Sequence, residues 1–424
     1  MNIEQLIVSI GFIFLVSRLS GLLFRRIGQP QVVGEMVAGI LLGPSLFGHI
    51  FPRCFNYVFP SNAIATLTTL SQLGLLLFMF VVGMEVEVDG ILKRRKTVVL
   101  TSHISILLPL VLGIFLAALL YPGFAGAGVS FPLFALFMGT AMSVTAFPVL
   151  AGILRERQLL GSDLGAMAIS CAAIDDVSAW LLLAILTAVA HSAQSWTHLF
   201  LVLLALLGFL LFMLFPVRRS VAFLERSFPS QQSDLGPFCA LILIMLVSSW
   251  LTERLGVHAL FGAFTAGLIM PKGTQLVTKT IERIESLTLT LLLPIFFVLT
   301  GLRTRIDLLH TTNTWGYLAA IIGVAVLGKL GGAALTSRAS GLAWRDAFAL
   351  GILMNTRGLV ELVILNAGLE MGILSSSMFA MMVLMALVTT FMTTPLLTAV
   401  RGRPAQGIRA WYQQPGATEF QHSR

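Results

Sequence analysis

The stretch GEMVAGILLGP, residues 34–44, returns in altered form as GAFTAGLIMP, residues 262–271, both built on G-x-x-x-A-G followed by aliphatic residues and a proline. Working outward, LFMFVVGMEVEVD (77–89) lines up with IFFVLTGLRTRID (295–307), which sets Gly83 on Gly301 and Asp89 on Asp307. A weaker third match sets GTAMSVTAF (139–147) against GILMNTRGL (351–359). Three matches in the same order mark an internal duplication.

What lies between the copies decides their geometry. The chain has 424 residues, 57% hydrophobic and 11% charged, with a mean hydropathy of +0.93, outside the profile of a soluble globular protein. Apolar runs of bilayer-spanning length, about 20 residues each, follow one another from Ile3 to Val400. We read thirteen segments, near 3–24, 30–47, 63–84, 97–120, 131–154, 163–190, 197–216, 236–254, 257–270, 287–302, 315–336, 345–368 and 376–399. The matched stretches fall in segments two and nine, three and ten, five and twelve. Partners are seven segments apart, an odd number, so the two copies cross the membrane in opposite directions. The expected fold is an all-α polytopic membrane protein of about 13 transmembrane helices with an inverted repeat, a transporter device that exposes one midplane site to each side in turn.

Residues 1–400 read as one transmembrane domain and 401–424 as a short polar tail with no Gly-rich strand-turn-helix pattern for a nucleotide. The first segment opens with Glu4 rather than a basic n-region, which predicts that it is retained. Cys54, Cys171 and Cys239 have neither disulfide nor metal spacing and read as small apolar residues. The net charge of +8 is explained by topology. With the N-terminus outside, the inside loops collect Arg25, Arg26, the run Lys93-Arg94-Arg95-Lys96, Arg155, Arg157, Arg218, Arg219, Arg338 and Arg345, whereas the outside loops hold only Arg53, Arg254, Arg303 and Arg305. The positive-inside rule therefore predicts N-out and C-cytoplasmic, and no nucleic-acid partner is needed to account for the basic excess.

Glu35, Asp175, Asp176, Glu361, Lys329 and Arg357 fall inside spans, where each ion needs a partner, a watered cavity or a function. Pro148 lacks an amide donor and disfavours helical geometry at Phe147, so segment five is expected to break near Thr145. Its matched partner carries Asn355, Thr356, Arg357 and Gly358. Two breaks at equivalent points leave carbonyls and half-helix ends near the midplane, suited to a cation. Asp175 and Asp176 point about 100° apart on a helix and cannot share one partner. Lys329, flanked by Gly328, Gly331 and Gly332, is the expected neutralising cation for one; the other, in a cavity, carries either a proton or a cation. Arg357 and Glu361 stand at i,i+4 spacing and can pair. Glu35 is assigned to packing or an interhelical hydrogen bond.

QPQVVGEMVAGILLGPSLFG, TAMSVTAFPVLAGIL, AIDDVSAW and LMNTRGLVELVILNAG closely resemble signatures of the monovalent cation:proton antiporters, in the branch called cation:proton antiporter family two. The resemblance runs from Ile3 to about Val400. It implies a sodium/proton antiporter-like fold with two crossed broken helices, and a homodimer. Each protomer would have a dimerisation scaffold and a six-helix core that moves like an elevator, core helices lying within about 63–190 and 287–399. By that resemblance Asp176 matches the aspartate that carries cation and proton, Asp175 the neighbour that pairs with a lysine, and Lys329 that lysine. Thr145 lies at the crossing. The chain departs from potassium-efflux members in showing no cytosolic nucleotide-binding domain, and from plant members in showing no long tail.

The function expected is antiport of Na⁺ or K⁺ against H⁺ in a bacterial inner membrane, contributing to pH homeostasis, with no cofactor and no covalent chemistry. No G-x-x-x-x-G-K-[ST] loop for a pump's nucleotide is present. A cation channel, or a proton-coupled exporter or symporter of an organic substrate, is the alternative.

Overall fold

The structure, a computed structural model, describes residues 3–85, 95–159, 162–191, 196–227, 235–310 and 312–402. Asp89, Lys93 and Arg94 of the basic run and most of the tail 401–424 lie outside them. Twenty α-helices follow in order: α1 Ile3–Arg26, α2 Gln31–Leu42, α3 Phe47–Ile50, α4 Pro52–Val58, α5 Ser61–Glu85, α6 Arg95–Phe124, α7 Phe131–Ser143, α8 Phe147–Glu156, α9 Asp163–His191 and α10 Trp196–Phe212, then α11 Arg218–Ser227, α12 Leu235–Arg254, α13 Ala259–Leu268, α14 Gln275–Leu287, α15 Leu293–Arg303, α16 Thr312–Val326, α17 Gly332–Ala339, α18 Trp344–Met354, α19 Leu359–Glu370 and α20 Ser376–Arg401. Among the described residues there is no β-strand beyond an isolated bridge between Ala125 and Leu374.

Twelve spans among the described residues are long and apolar enough to cross a membrane, so this is an integral membrane protein. The remaining expected segment, the ninth at 257–270, is α13, ten residues long, opened by His258, whose Nδ1 accepts from the Leu260 amide at 3.4 Å. Its length is about 15 Å, half a bilayer core.

The duplication is visible as repeated packing. Where Gly34 meets α1, Ser20 Oγ donates to the Gly34 carbonyl at 2.7 Å; where its counterpart Gly262 meets α12, Ser248 Oγ donates to the Gly262 carbonyl at 2.7 Å. The matched glycines then interlock crosswise. A Cβ on Gly39 (α2) would stand 2.5 Å from the Val298 carbonyl and 3.0 Å from Gly301 Cα on α15. A Cβ on Gly267 (α13) would stand 2.1 Å from the Phe80 carbonyl on α5. Only hydrogen fits in both places, so α2 is seated on α15 and α13 on α5 at backbone contact.

Those contacts divide the molecule. Helices α1, α2, α5 and α12–α15 pack together, while α6–α9 and α16–α20 surround the broken helices. The glycine contacts seat α5 on α13 and α15 on α2. Gly267→Ala should accordingly lower thermal stability in detergent by about 1–3 kcal/mol through overpacking. Gly152→Ala, where a Cβ meets nothing within 4 Å, should be neutral or stabilising; equal melting curves for the two variants would contradict the lock.

Candidate ion-exchange site

Segment five is broken into α7 and α8 by extended backbone at Val144 and Ala146, with Pro148 at the second position of α8, where its missing amide costs nothing. Segment twelve is broken into α18 and α19, with Gly358 in extended backbone before Leu359. A Cβ on Gly358 would lie 2.7 Å from Val149 Cγ2, so the second break presses on the first half-helix after the crossing. The strands of the crossing touch through one backbone bond, Ala146 N–H to the Thr356 carbonyl at 3.0 Å.

Helix ends buried in a membrane need partners for their backbone groups, and each repeat supplies them to the other. Setting Gly139 on Gly351 places Met142 on Met354 and Thr145 on Arg357. Thr145 Oγ1 reaches the Met354 carbonyl at 3.0 Å. Arg357 donates from Nη1 to the Ala141 carbonyl at 3.0 Å and from Nη2 to the Met142 carbonyl at 2.7 Å. Residues at matched positions thus cap the opposite half-helix, one with a hydroxyl and one with a guanidinium. Thr390 of α20 holds the second break by accepting from the Arg357 amide at 3.0 Å and donating to the Arg357 carbonyl at 2.7 Å.

Lys329 sits in a π-helical turn, Leu327–Gly331, between α16 and α17. The wider turn sends its side chain sideways into the crossing, as such turns often do at functional sites. Gly328 makes room by lying against Pro109 of α6, and Gly332 lies against Leu108; Gly331 faces open space, so only two of the three expected glycines serve close approach. Lys329 Nζ uses all three protons: to Asp175 Oδ2 at 2.7 Å, Thr145 Oγ1 at 2.7 Å and Ser105 Oγ at 3.2 Å. Thr145 and Ser105 in turn reach Asp175 Oδ2 at 2.8 and 3.2 Å. Asp175 and Lys329 are both fully buried. Ser105, like Thr140 and Thr390, is a residue that sequence reasoning missed; its only signal is the polar cluster TSHIS, residues 101–105, ahead of Pro109.

Asp176 differs from its neighbour. It is fully buried, and neither carboxylate oxygen has a side-chain hydrogen-bond partner. It lies at the N-terminal end of α8, against the Phe147 backbone amide, where the half-helix dipole favours negative charge. Asn355 Oδ1, Thr356 Oγ1 and Thr140 Oγ1 are likewise buried without partners. Among the described residues no three His, Cys, Asp or Glu side chains gather into a metal cage.

This chain matches the family described as sodium/hydrogen exchanger, transmembrane, over residues 11–399. It belongs to that family of monovalent cation:proton antiporters. The Na(+)/H(+) antiporter NhaS4 of Synechocystis is 41% identical over 95% of this chain and 98% of its own length. Cation/H(+) antiporter 17 of Arabidopsis thaliana is 41% identical over 93% of the chain, and K(+)/H(+) antiporter 1 of Saccharomyces cerevisiae 36% over 92%. The chain spans about half the length of those two relatives, 48% and 45%. Among solved structures, the sodium proton antiporter MjNhaP1 of Methanocaldococcus jannaschii superimposes with a TM-score of 0.69 at 14% identity, covering 94% of this chain and all of that one. That likeness speaks for the fold.

In this member of the sodium/hydrogen exchanger family, the remaining intramembrane charges take other places. Arg357 Nη1 also pairs with Glu361 Oε1 at 3.0 Å, both side chains fully buried. Glu35 accepts from Gln31 Nε2 at 2.7 Å, a bond within α2 rather than between helices. Since α2 packs on α1 and α15, the structure does not bring Glu35 to the crossing.

Proposed function

We propose that the protein is a secondary antiporter that exchanges one monovalent cation, Na⁺ or K⁺, for H⁺ at Asp176. The observation that carries the reading is that Asp176 is a buried carboxylate with no side-chain partner at a half-helix N-terminus, while Asp175 is already neutralised by Lys329. A desolvated carboxylate needs a proton or a cation, and it takes one at the expense of the other. Asn355, Thr356 and Thr140 offer neutral oxygens suited to a cation stripped of part of its water. Asp175, Lys329, Thr145 and Ser105 hold the crossing rigid, and Arg357 with Glu361, Pro148 and Gly358 shape it.

Alternating access is assigned to the core, α6–α9 and α16–α20, sliding as an elevator against the glycine-locked scaffold. On this reading the protein works as a homodimer in a bacterial inner membrane, N-terminus outside and C-terminus cytoplasmic. Reconstituted vesicles with an acid interior and a pH dye test the exchange. Alkalinisation on adding one of Na⁺, K⁺ or Li⁺, and none with choline, is the expected outcome. Currents reversing at the cation's Nernst potential without a proton gradient would favour a channel, and silence with every salt an organic substrate.

A further inference from the structure

A cavity of about 410 Å³ lies where the scaffold and the core face each other. Glu253, His258 and Arg303 line its scaffold wall, and Thr187, Asn366 and Glu370 its core wall. Asp176 does not line it. Thr187 is eleven residues beyond Asp176 on α9, about 16 Å along the helix, and the intervening Trp180 is buried in a stack on Phe264 of α13, ring centroids 6.2 Å apart. The cavity therefore ends short of the crossing.

Three hydrogen bonds tie α15 to α19 at this cavity. Arg303 Nη1 donates to Asn366 Oδ1 at 2.9 Å and to Glu370 Oε1 at 2.8 Å. Asn366 Nδ2 donates to Thr300 Oγ1 at 3.1 Å and to the Leu362 carbonyl at 2.8 Å, which orients the amide. Thr300 and Arg303 share one face of α15 by i,i+3 spacing, and Asn366 and Glu370 one face of α19 by i,i+4. The two faces meet as a ladder.

The ladder joins unlike parts. Helix α15 is fixed to α2 by the Gly39–Gly301 lock, and α19 begins at the crossing itself. Any slide of the core along the scaffold separates these partners. We propose that Thr300, Arg303, Asn366 and Glu370 form a latch that holds the core in the position seen here and opens in each transport stroke. Arg303 and Glu370 remain in part exposed to the cavity, their side chains 29% and 45% accessible, so water can replace each bond as it breaks. Arg303 is thus a positioning residue for exchange, acting on the core through α19 and touching neither ion. The proposal rests on the sliding reading given above.

The test uses the whole chain with Cys54, Cys171 and Cys239 replaced, carrying Thr300→Cys and Asn366→Cys in place of two side chains now hydrogen-bonded across the interface. Oxidation should cut cation-driven proton flux at least about fivefold, and reduction should restore it. Cross-linked protein, shown by loss of maleimide labelling, that exchanges at the reduced rate would overturn the latch. A second arm needs no cross-link. Arg303→Gln, which loses the bonds to both Asn366 and Glu370, should shift apparent cation KM or maximal flux at least as much as Glu370→Gln, and the double variant should match Arg303→Gln, because the Glu370 bond is already lost there. Multiplying effects, or flux parameters indistinguishable from wild type in all three, would also overturn it. Failure of the exchange reading itself would appear earlier, as no cation-dependent flux in the unmodified protein.

Discussion

Asp176→Asn abolishes cation-driven proton flux, by about a hundredfold or more, and leaves the fold intact. The size follows from chemistry: an amide keeps the shape of the carboxylate but neither releases a proton at physiological pH nor balances a cation's charge. The tolerance follows from structure. Asp176 has no side-chain hydrogen-bond partner and faces only the Phe147 backbone amide, a contact that an asparagine oxygen can keep, so the substitution removes the cost of a buried charge without breaking a side-chain bond. Melting temperature in detergent should stay level or rise. Flux above about a tenth of wild type in proteoliposomes would remove Asp176 from the carrier role, and a collapse in stability would show that the carboxylate has a structural partner after all.

The second large effect is on stability. Lys329→Met removes the cation from a pair that is fully buried on both sides, leaving Asp175 charged among Ser105 and Thr145. Breaking one partner of such a pair costs about 3–5 kcal/mol, whereas replacing both by apolar groups is often nearly neutral. The combination Lys329→Met with Asp175→Leu should therefore recover at least half of the loss seen in Lys329→Met alone. Thermal unfolding of wild type, both single variants and the double variant measures it. A single variant as stable as wild type, or a double variant with the two losses simply added, would show that the pair contributes no coupling.

Much of this arrangement was legible in the sequence because membrane proteins write their charges sparsely. Six ionisable residues inside apolar spans narrowed the search before any coordinates were known, and Pro148 with Gly358 marked both breaks. The inverted order followed from counting segments between like words. What was not legible depends on distance across the fold. The π-helical turn around Lys329 has no composition of its own, and Ser105 is one hydroxyl among several in α6. The capping of Ala141 and Met142 by Arg357 was hidden because Arg357 already had a partner in reach at Glu361. The seating of α5 and α15 on α13 and α2 was carried by glycines that sequence alone marks only as repeated, since a close approach has two sides and the sequence shows one at a time.

The separation between Asp175 and Lys329 has a consequence for how the protein is made. The two are 154 residues apart, so α9 emerges from the ribosome roughly 8–30 s before its lysine exists, at about 5–20 residues per second. During that interval two adjacent aspartates must sit in or beside the translocation machinery without the cation that later balances one of them, at a penalty of about 2.5–3.5 kcal/mol for an acidic residue at a helix centre. The insertion of the first half is therefore provisional until the second arrives. Chains truncated between α9 and α16 should be the ones that quality-control proteases remove first.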